Sequence, residues 1–587
     1  MPRNKIAHKT ENTKTTANKE TPRWFFIIPL IIPILFFVFL EMGLRLFNYG
    51  MDYTIFKPVY ENYPGKLFIN PNLPRKYFSG LKNAPSVVPD AFDNVKKENA
   101  FRIFVLGESS TAGWPYIPNA SFPREIKRRL ELIYPDNEIE VINCGVSAIN
   151  TYTIRDIVPG IIKEKPDLIL VYTGHNEYYG ALGAASSVSL GHSRVSINLY
   201  LWLQRFKTTQ LAENMIRGIA ELFNNQNSDK PQGGETLMSK MIGKNLITLD
   251  SDLYKEGIKQ FEGNMKDIIE MFQVAKIPVI LGTLTCNLKD QKPFISVKGD
   301  NLPPADNEYT EAQQKLKEGK IEEAKTLFLK AKELDALRFR APQEINNIIL
   351  RLAHQFNLPL IDIDSVFKAA SPDGIVGNNL TVDHLHPNIA GYRIIGKSFL
   401  RAMELSHNLP KGIRSSLSDE IINSTANAEY PVTKLDSIIA EMKIIILTGE
   451  YPFVPKGTPN YRLQNYKPKD YADSIAMAVM NNKILWEEGH VKIADWYFNK
   501  GDFFSFRSEM MAIIYERPFN EQFYEYTINK LIGSQQFTLV LPVILKYNSF
   551  RPSYFTYKWL GQIYLNDKNY KKALFYLEPA SKLPDAD

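Results

Sequence analysis

The chain reads as an α/β domain built on a parallel sheet with helices on both faces. An apolar N-terminal helix precedes it and an all-α region follows it. Three observations predict this. Short apolar, β-branched runs occur at residues 101–106 (FRIFVL), 140–143, 168–173 (LILVYT), 277–281 and 358–363. The stretches between them are long, and several carry helical periodicity, as at 123–134 and 254–274. Continuous apolar strands alternating with helices belong to a sheet buried on both faces. From about residue 486 onward the strand signals give way to amphipathic helices at a constant period.

Length and composition bound the rest. At 587 residues the chain is too long for one ordinary domain. Hydrophobic residues at 44% and charged ones at 23% exclude wholesale disorder and fibrous repeats. Two cysteines, Cys144 and Cys286, exclude a disulfide framework and a cysteine-built zinc site. They can form one bridge or none, and buried free thiols are the default. The net charge of +6 is concentrated at the N-terminus. Residues 1–23 hold Arg3, Lys5, Lys9, Lys14, Lys19 and Arg23 against Glu11 and Glu20, leaving only +2 for everything after them. No nucleic-acid-binding surface follows from such a distribution. The tail is polar and aperiodic, which reads as a disordered cytoplasmic segment.

Residues 24–40 then run 17 positions without a charge, about 25 Å as a helix. Continued to Phe47, the run is long enough to cross a bilayer. Pro29 and Pro33 are tolerated in a membrane, and Glu41 and Arg45 lie four apart, able to pair. The bulky, charged residues after the run offer no small-x-small cleavage site, so it reads as an uncleaved anchor over 24–47. Six basic residues before it against Arg45 and Lys57 after it put the N-terminus in the cytoplasm and the rest outside, in a periplasm or at the cell surface.

Residues 48–97, rich in Pro, Asn and Tyr without a clear period, read as a connecting segment. The α/β domain spans 98–405 and carries two insertions. The first, 180–250, contains a small-residue run at 180–191 and a polar stretch at 224–235, and is expected to border or lid the site. The second, near 305–345, is strongly helical, with a turn at Glu318-Gly319-Lys320. Its Ala312, Ala324, Phe328 and Ala331 occupy the small and aromatic positions of a tetratricopeptide unit of about 34 residues. After a partly helical connector, 406–485, the same spacing returns over 486–587. Ala494, Tyr497, Phe506, Met510, Ile513 and Pro518 form one unit, and Ile528, Leu531, Val540, Ile544 and Pro552 a second. Tyr557, Leu560, Gly561, Tyr564, Ala573, Leu577 and Ala580 form a third. Such repeats suggest a protein partner held in their groove; the inserted pair can instead shape a substrate entrance.

The residues that carry chemistry fall at strand ends, where open α/β sheets hold their sites. The first strand runs into Gly107-Glu108-Ser109-Ser110-Thr111-Ala112-Gly113, which exposes a hydroxyl or simply supplies an N-cap serine. The second runs into Asn143-Cys144-Gly145, where the glycine leaves a backbone N–H approachable or only makes a turn. The third ends in Gly174-His175-Asn176-Glu177, with an amide that can donate to an oxyanion or cap a helix. Asp383-His384-Leu385-His386 stands near the domain's end, before an amphipathic stretch at Ile389–Leu405. An Asp three residues before a His can hold Nδ1–H and leave Nε2 free to take a proton from a serine.

Four such blocks in this order resemble the SGNH (GDSL-type) hydrolase superfamily over about residues 98–405. The resemblance implies a three-layer α/β/α sandwich similar to flavodoxin. It makes Ser109 the nucleophile, His386 the general base and Asp383 its orienter. It implies an oxyanion hole of Ser109 N–H, Gly145 N–H and the Asn176 amide. Members are mostly esterases, lipases, carbohydrate deacetylases and acyltransferases, so the expected substrate is an ester, such as an acylated glycan or lipid. No metal or organic cofactor is expected. Glu108 and Glu177 stand where the family usually has Asp, which suggests a subgroup with its own packing around the oxyanion site. His384, one residue off the Asp-x-x-His spacing, is expected to face away; His175 lines the pocket or lies at the surface. Three functions remain: a membrane-anchored serine ester hydrolase, an O-acyltransferase acting on envelope glycans, and a repeat scaffold with an inactive hydrolase domain.

Overall fold

The structure, a computed structural model, describes residues 28–78, 83–117, 119–187, 193–224, 236–242, 246–298 and 302–583. The basic tail 1–23 and most of the polar stretch 224–235 lie outside them. The chain divides into two compact units, Met1–Met51 with Leu201–Lys230, and Asp52–Tyr200 with Pro231–Asp587.

In the first unit an apolar helix runs Ile28–Leu46. Arg45 donates from Nε to Glu41 Oε1 at 2.7 Å, the expected i, i+4 pair. The same carboxylate accepts the backbone N–H groups of Lys207 and Thr208, at 3.0 and 2.9 Å. These open the helix Lys207–Asn224, so Glu41 satisfies donors that a helix start leaves unpaired. Residues 24–27 lie outside the described part. Among the described residues no helix is long and apolar enough to cross a membrane.

The second unit is built on a parallel sheet. Eight strands lie among the described residues: β1 (Phe56–Lys57), β2 (Lys66–Ile69), β3 (Phe92–Asp93), β4 (Ala100–Gly107), β5 (Glu138–Asn143), β6 (Leu168–Tyr172), β7 (Val279–Gly282) and β8 (Leu360–Ile361). The last five form one parallel sheet in the order β5-β4-β6-β7-β8. Ile103, Phe104, Val105 and Leu106 are wholly buried along β4, as an apolar run with no polar alternation requires. One pack of helices includes Phe122–Ile133 and Ile389–Leu405, joined by Phe122 stacked on Phe399 at 5.4 Å. Another includes Thr151–Lys163, Asp252–Val274 and Gln343–Gln355.

The segment expected only to connect does more than that. β1, β2 and β3 make a small antiparallel sheet whose Phe56 and Phe92 pack on Phe104 of β4, at 5.4 and 5.5 Å. Buried Arg102 ties the two sheets together. It donates to Glu140 Oε2 at 2.6 Å, to the Asp93 carbonyl at 2.6 Å and to the Glu164 carbonyl at 2.7 Å, so each of its three nitrogens has an acceptor, as a buried guanidinium requires. Strands of two to four residues are too short for a period to register.

The inserted pair folds as the hairpin Ala305–Lys317 and Ile321–Leu334, with Ala312, Ala324, Phe328 and Ala331 buried. From residue 419 the chain is all helical. The connector supplies Asp419–Ala428, Lys434–Thr448 and Tyr471–Met480. Three hairpins follow: Trp486–Asn499 with Phe503–Glu516, Glu521–Gly533 with Phe537–Phe550, and Tyr554–Asn566 with Tyr570–Ala580. Ala494, Phe506, Met510, Ile528, Val540, Leu560 and Ala573 share one core across them. The connector packs onto this array: Leu435, Met442 and Ala476 form a core with Ile493, and Trp486 and Tyr497 pack against it. Phe519 of the array packs against Tyr60, Tyr63 and Phe68 of the small sheet.

Candidate active site

β4 delivers Ser109 into a one-turn helix, Ser109–Ala112. Glu108 before it is extended, and Gly113 after it sits at φ 102°, a left-handed conformation that favours glycine. Ser109 Oγ lies 2.7 Å from Nε2 of His386, and His386 Nδ1 lies 2.6 Å from Asp383 Oδ2. The other Asp383 oxygen accepts the backbone N–H groups of Leu385 and His386, both at 2.9 Å. Burial alone would raise this carboxyl's pKa. The charges of His386 and His384, with their hydrogen bonds, outweigh that and hold it well below the usual carboxylate range. The four residues Asp383–His386 therefore present a fixed imidazole to a serine hydroxyl.

Asn143, at the end of β5, braces the Ser109 turn. Its Nδ2 donates to the Thr111 carbonyl at 2.8 Å and its Oδ1 accepts Gly145 N–H at 2.9 Å. A Cβ on Gly145 would lie 2.3 Å from Ala112 N and 2.8 Å from Thr111 C, so glycine is needed there for close backbone approach. The Gly145 N–H, expected as an oxyanion donor, is thus engaged with a side chain.

Glu108 performs a second bracing. Its Oε1 accepts Thr173 Oγ1 at 2.9 Å and Gly174 N–H at 3.0 Å, and Oε2 accepts Asn176 N–H at 3.1 Å. The residue before Ser109 thereby fixes the loop that carries Asn176, which lines the same cavity as Ser109. Glu177 turns the other way. It accepts from Thr151 Oγ1 at 2.7 Å and from the Gln260 amide. Burial pushes both carboxyls up, Glu108 to about 8 and Glu177 to about 7, against the hydrogen bonds they accept.

Two histidines depart from expectation. His384 does not face away. Its Nδ1 lies 3.3 Å from Asp383 Oδ1, and its ring packs among Phe294, Phe339, Phe453 and His386 while lining the cavity. The turn that brings His386 to Ser109 keeps His384 inside too. His175 is neither in the cavity lining nor at the surface. It is buried, its Nδ1 accepts Ala341 N–H at 3.2 Å, and burial first, then His384 and His386, lower it to about 3. Cys144 and Cys286 are free and buried, and burial raises both thiols.

Ser109, Asn176 and His386 open into a cavity of about 590 Å³, within the range of small-molecule sites. Trp114, Ile117, Met238 and Met241 make part of its apolar wall, the last two from the first insertion, as expected. The inserted hairpin itself contributes no lining residue, although Phe339 just after it does. The far wall comes from the C-terminal region through Lys443, Ile446, Leu447, Trp486, Glu516 and Arg517. None of these was recognisable in the sequence.

Two clusters among the described residues hold ligand atoms close enough together for a cation. Asp383, His384 and His386 make the first, and His386 is already bonded to Ser109. Asp93, Glu138 and Glu140 make the second, and Lys66, Lys97 and Arg102 already pair with them.

The family model of the GDSL-like lipase/acylhydrolases matches residues 103–399, half of the chain. The chain belongs to this family. This acylhydrolase is therefore an enzyme acting on ester bonds, with an α/β domain of the SGNH type followed by a helical region. Among solved structures it is similar to an acetylxylan esterase from Geobacillus stearothermophilus, at 14% identity over 52% of this chain and 94% of that one, with a TM-score of 0.27. It is also similar to a GDSL-like lipase from Bacteroides thetaiotaomicron, at 13% identity over 54% and 93%, TM-score 0.27. No curated protein matches the acylhydrolase in sequence.

Proposed function

We propose that this acylhydrolase is a membrane-anchored serine esterase acting outside the cytoplasm, with Ser109, His386 and Asp383 as its triad. The observation that carries the reading is the unbroken relay from Ser109 Oγ through the imidazole to Asp383, at 2.7 and 2.6 Å. Ser109 Oγ attacks the ester carbonyl as its proton passes to His386 Nε2. The carbonyl oxygen becomes an oxyanion facing the Ser109 N–H and the Asn176 amide, the two principal donors in this reading. Gly145 N–H joins them only if Asn143 releases it. His386 then gives its proton to the leaving alcohol, and the ester bond breaks to an acyl-serine. Water, deprotonated by the same imidazole, completes the cycle.

Support for the anchor is the charge-free run 24–40 and the exposed Ile32, Ile34, Phe36, Phe37 and Phe39 along the helix after residue 28. The basic tail before it sets the orientation. The C-terminal hairpins read as tetratricopeptide-like, with Gly561 letting Leu577 of the paired helix approach.

An ester panel tests the chemistry. Wild type should hydrolyse aryl acetates, and Ser109→Ala should lose that turnover; equal rates would sink the triad. Protease treatment of intact and permeabilised cells tests the orientation. Cleavage of the hydrolase domain only after permeabilising the inner membrane would contradict it.

A further inference from the structure

The cavity holds a cation that the hydrolysis mechanism does not use. Lys443 lies on the helix Lys434–Thr448, far along the chain from the nucleophile, and lines the cavity with Ser109 and His386. Its Nζ donates to the Pro115 carbonyl at 3.0 Å and sits 5.7 Å from the centre of the Trp114 ring. Trp114 in turn lies 6.1 Å from the His386 ring.

Among the described residues the ammonium makes no salt bridge. Burial lowers its pKa, and the charge of Asp436 opposes this only in part. That carboxylate is already held by Thr433, Asn119 and His490. The cavity's own carboxylates are engaged or weakened elsewhere. Arg517 binds Glu487 with two donors, at 2.8 and 2.6 Å, and burial raises Glu516 to about 7. A cation partly removed from water without an anion is unfavourable, and an anionic ligand relieves that cost.

Its side of the site follows from the chemistry. The imidazole that protonates the leaving alcohol must face that alcohol, so the alcohol portion occupies the His386–Trp114 side and the oxyanion the Asn176 side. We propose that Lys443 selects esters whose leaving alcohol carries a negative charge, such as an acidic sugar or a phosphorylated alcohol, by binding that charge beside Trp114. The inference rests on the serine-esterase reading above and adds its substrate class.

The test uses the full chain and matched acetates: 3-acetoxybenzoate, its neutral methyl ester, and 3-acetoxyphenyl phosphate, each normalised to its hydroxide-catalysed rate. Wild type should favour at least one anion over the neutral ester by about tenfold or more in kcat/KM, and the preferred anion tells carboxylate from phosphate. Lys443→Met and Lys443→Gln should erase that preference mainly through KM, while Lys443→Arg should retain most of it. A wild type without the preference overturns the inference, and so does a preference unchanged in Lys443→Met. Should wild type turn over none of the three, the esterase reading fails separately. Calorimetry with 3-acetamidobenzoate against its neutral N-methylamide then decides. Binding of the anion that depends on Lys443 upholds the inference; equal or absent binding overturns it.

Discussion

At the residue scale, the proposed triad has serine, imidazole and carboxylate act through one another, so their substitutions should differ in kind. Asp383→Asn keeps the shape but presents the wrong hydrogen-bonding face to His386, and should lower kcat by about 10³–10⁴. Asn176→Ala removes one oxyanion donor and should cost about 10²–10³ in kcat with KM little changed. Steady-state kinetics on an aryl acetate checks both; a loss confined to KM would remove Asn176 from the oxyanion site. Glu108 is a positioning residue. It reaches three donors on the Asn176 loop, and Glu108→Asp is one methylene too short for all of them. The expected loss is about 10- to 10²-fold in kcat. In the double variant with Asn176→Ala the two losses should not add; full additivity would separate Glu108 from Asn176.

At the scale of elements, the turn Ser109–Ala112 and the loop at Gly145 pack backbone against backbone. Gly145→Ala would drive a Cβ into Ala112 N and Thr111 C, neither of which can swing aside, and should destabilise the fold by about 1–3 kcal/mol. A urea midpoint equal to wild type would contradict the close approach. A buried charge cluster joins the connector to the first C-terminal hairpin. His490 Nδ1 lies 2.6 Å from Glu509 and its Nε2 3.3 Å from Asp436, which also accepts from Asn119 and Trp486. Burial would lower this imidazole, but Asp436 and Glu509 outweigh it and raise it from 6.5 to about 10. A raised folded value means the cluster's contribution is full below pH 6.5 and is lost as pH rises through about 10. Stability should therefore fall from pH 7 to 10, and fall less in His490→Gln. Parallel urea midpoints of the two proteins across that range would refute the assignment.

At the scale of the molecule, a chain-distant helical region supplies one wall of the cavity that Ser109 and His386 line. Trp486→Ala should change the ranking of ester substrates more than it changes reactivity toward phenyl acetate, the smallest of them. An unchanged ranking would mean the wall does not meet substrate. This also marks where the sequence stops being legible. Ser109, Asn176, Asp383 and His386 stood out because each follows a strand or a turn of fixed spacing, and local geometry is written in local residues. The C-terminal hairpins were legible for the same reason, through the constant interval of their small and aromatic positions. Lys443 and Trp486 were not, because nothing within a helix says which distant surface it will cover. Nor was the engagement of Gly145 N–H by Asn143, which depends on one rotamer, or the inward turn of His384, which depends on a packed ring of Phe294, Phe339 and Phe453.

The central claim is that Ser109 is an activated nucleophile facing the cavity that Asn176 and His386 also line. Fluorophosphonate labelling followed by intact mass and peptide mapping tests it without knowledge of the natural ester. The account predicts one adduct per chain, on Ser109, abolished in Ser109→Ala and slowed in Asp383→Asn. No adduct, or an adduct on another residue, would contradict it.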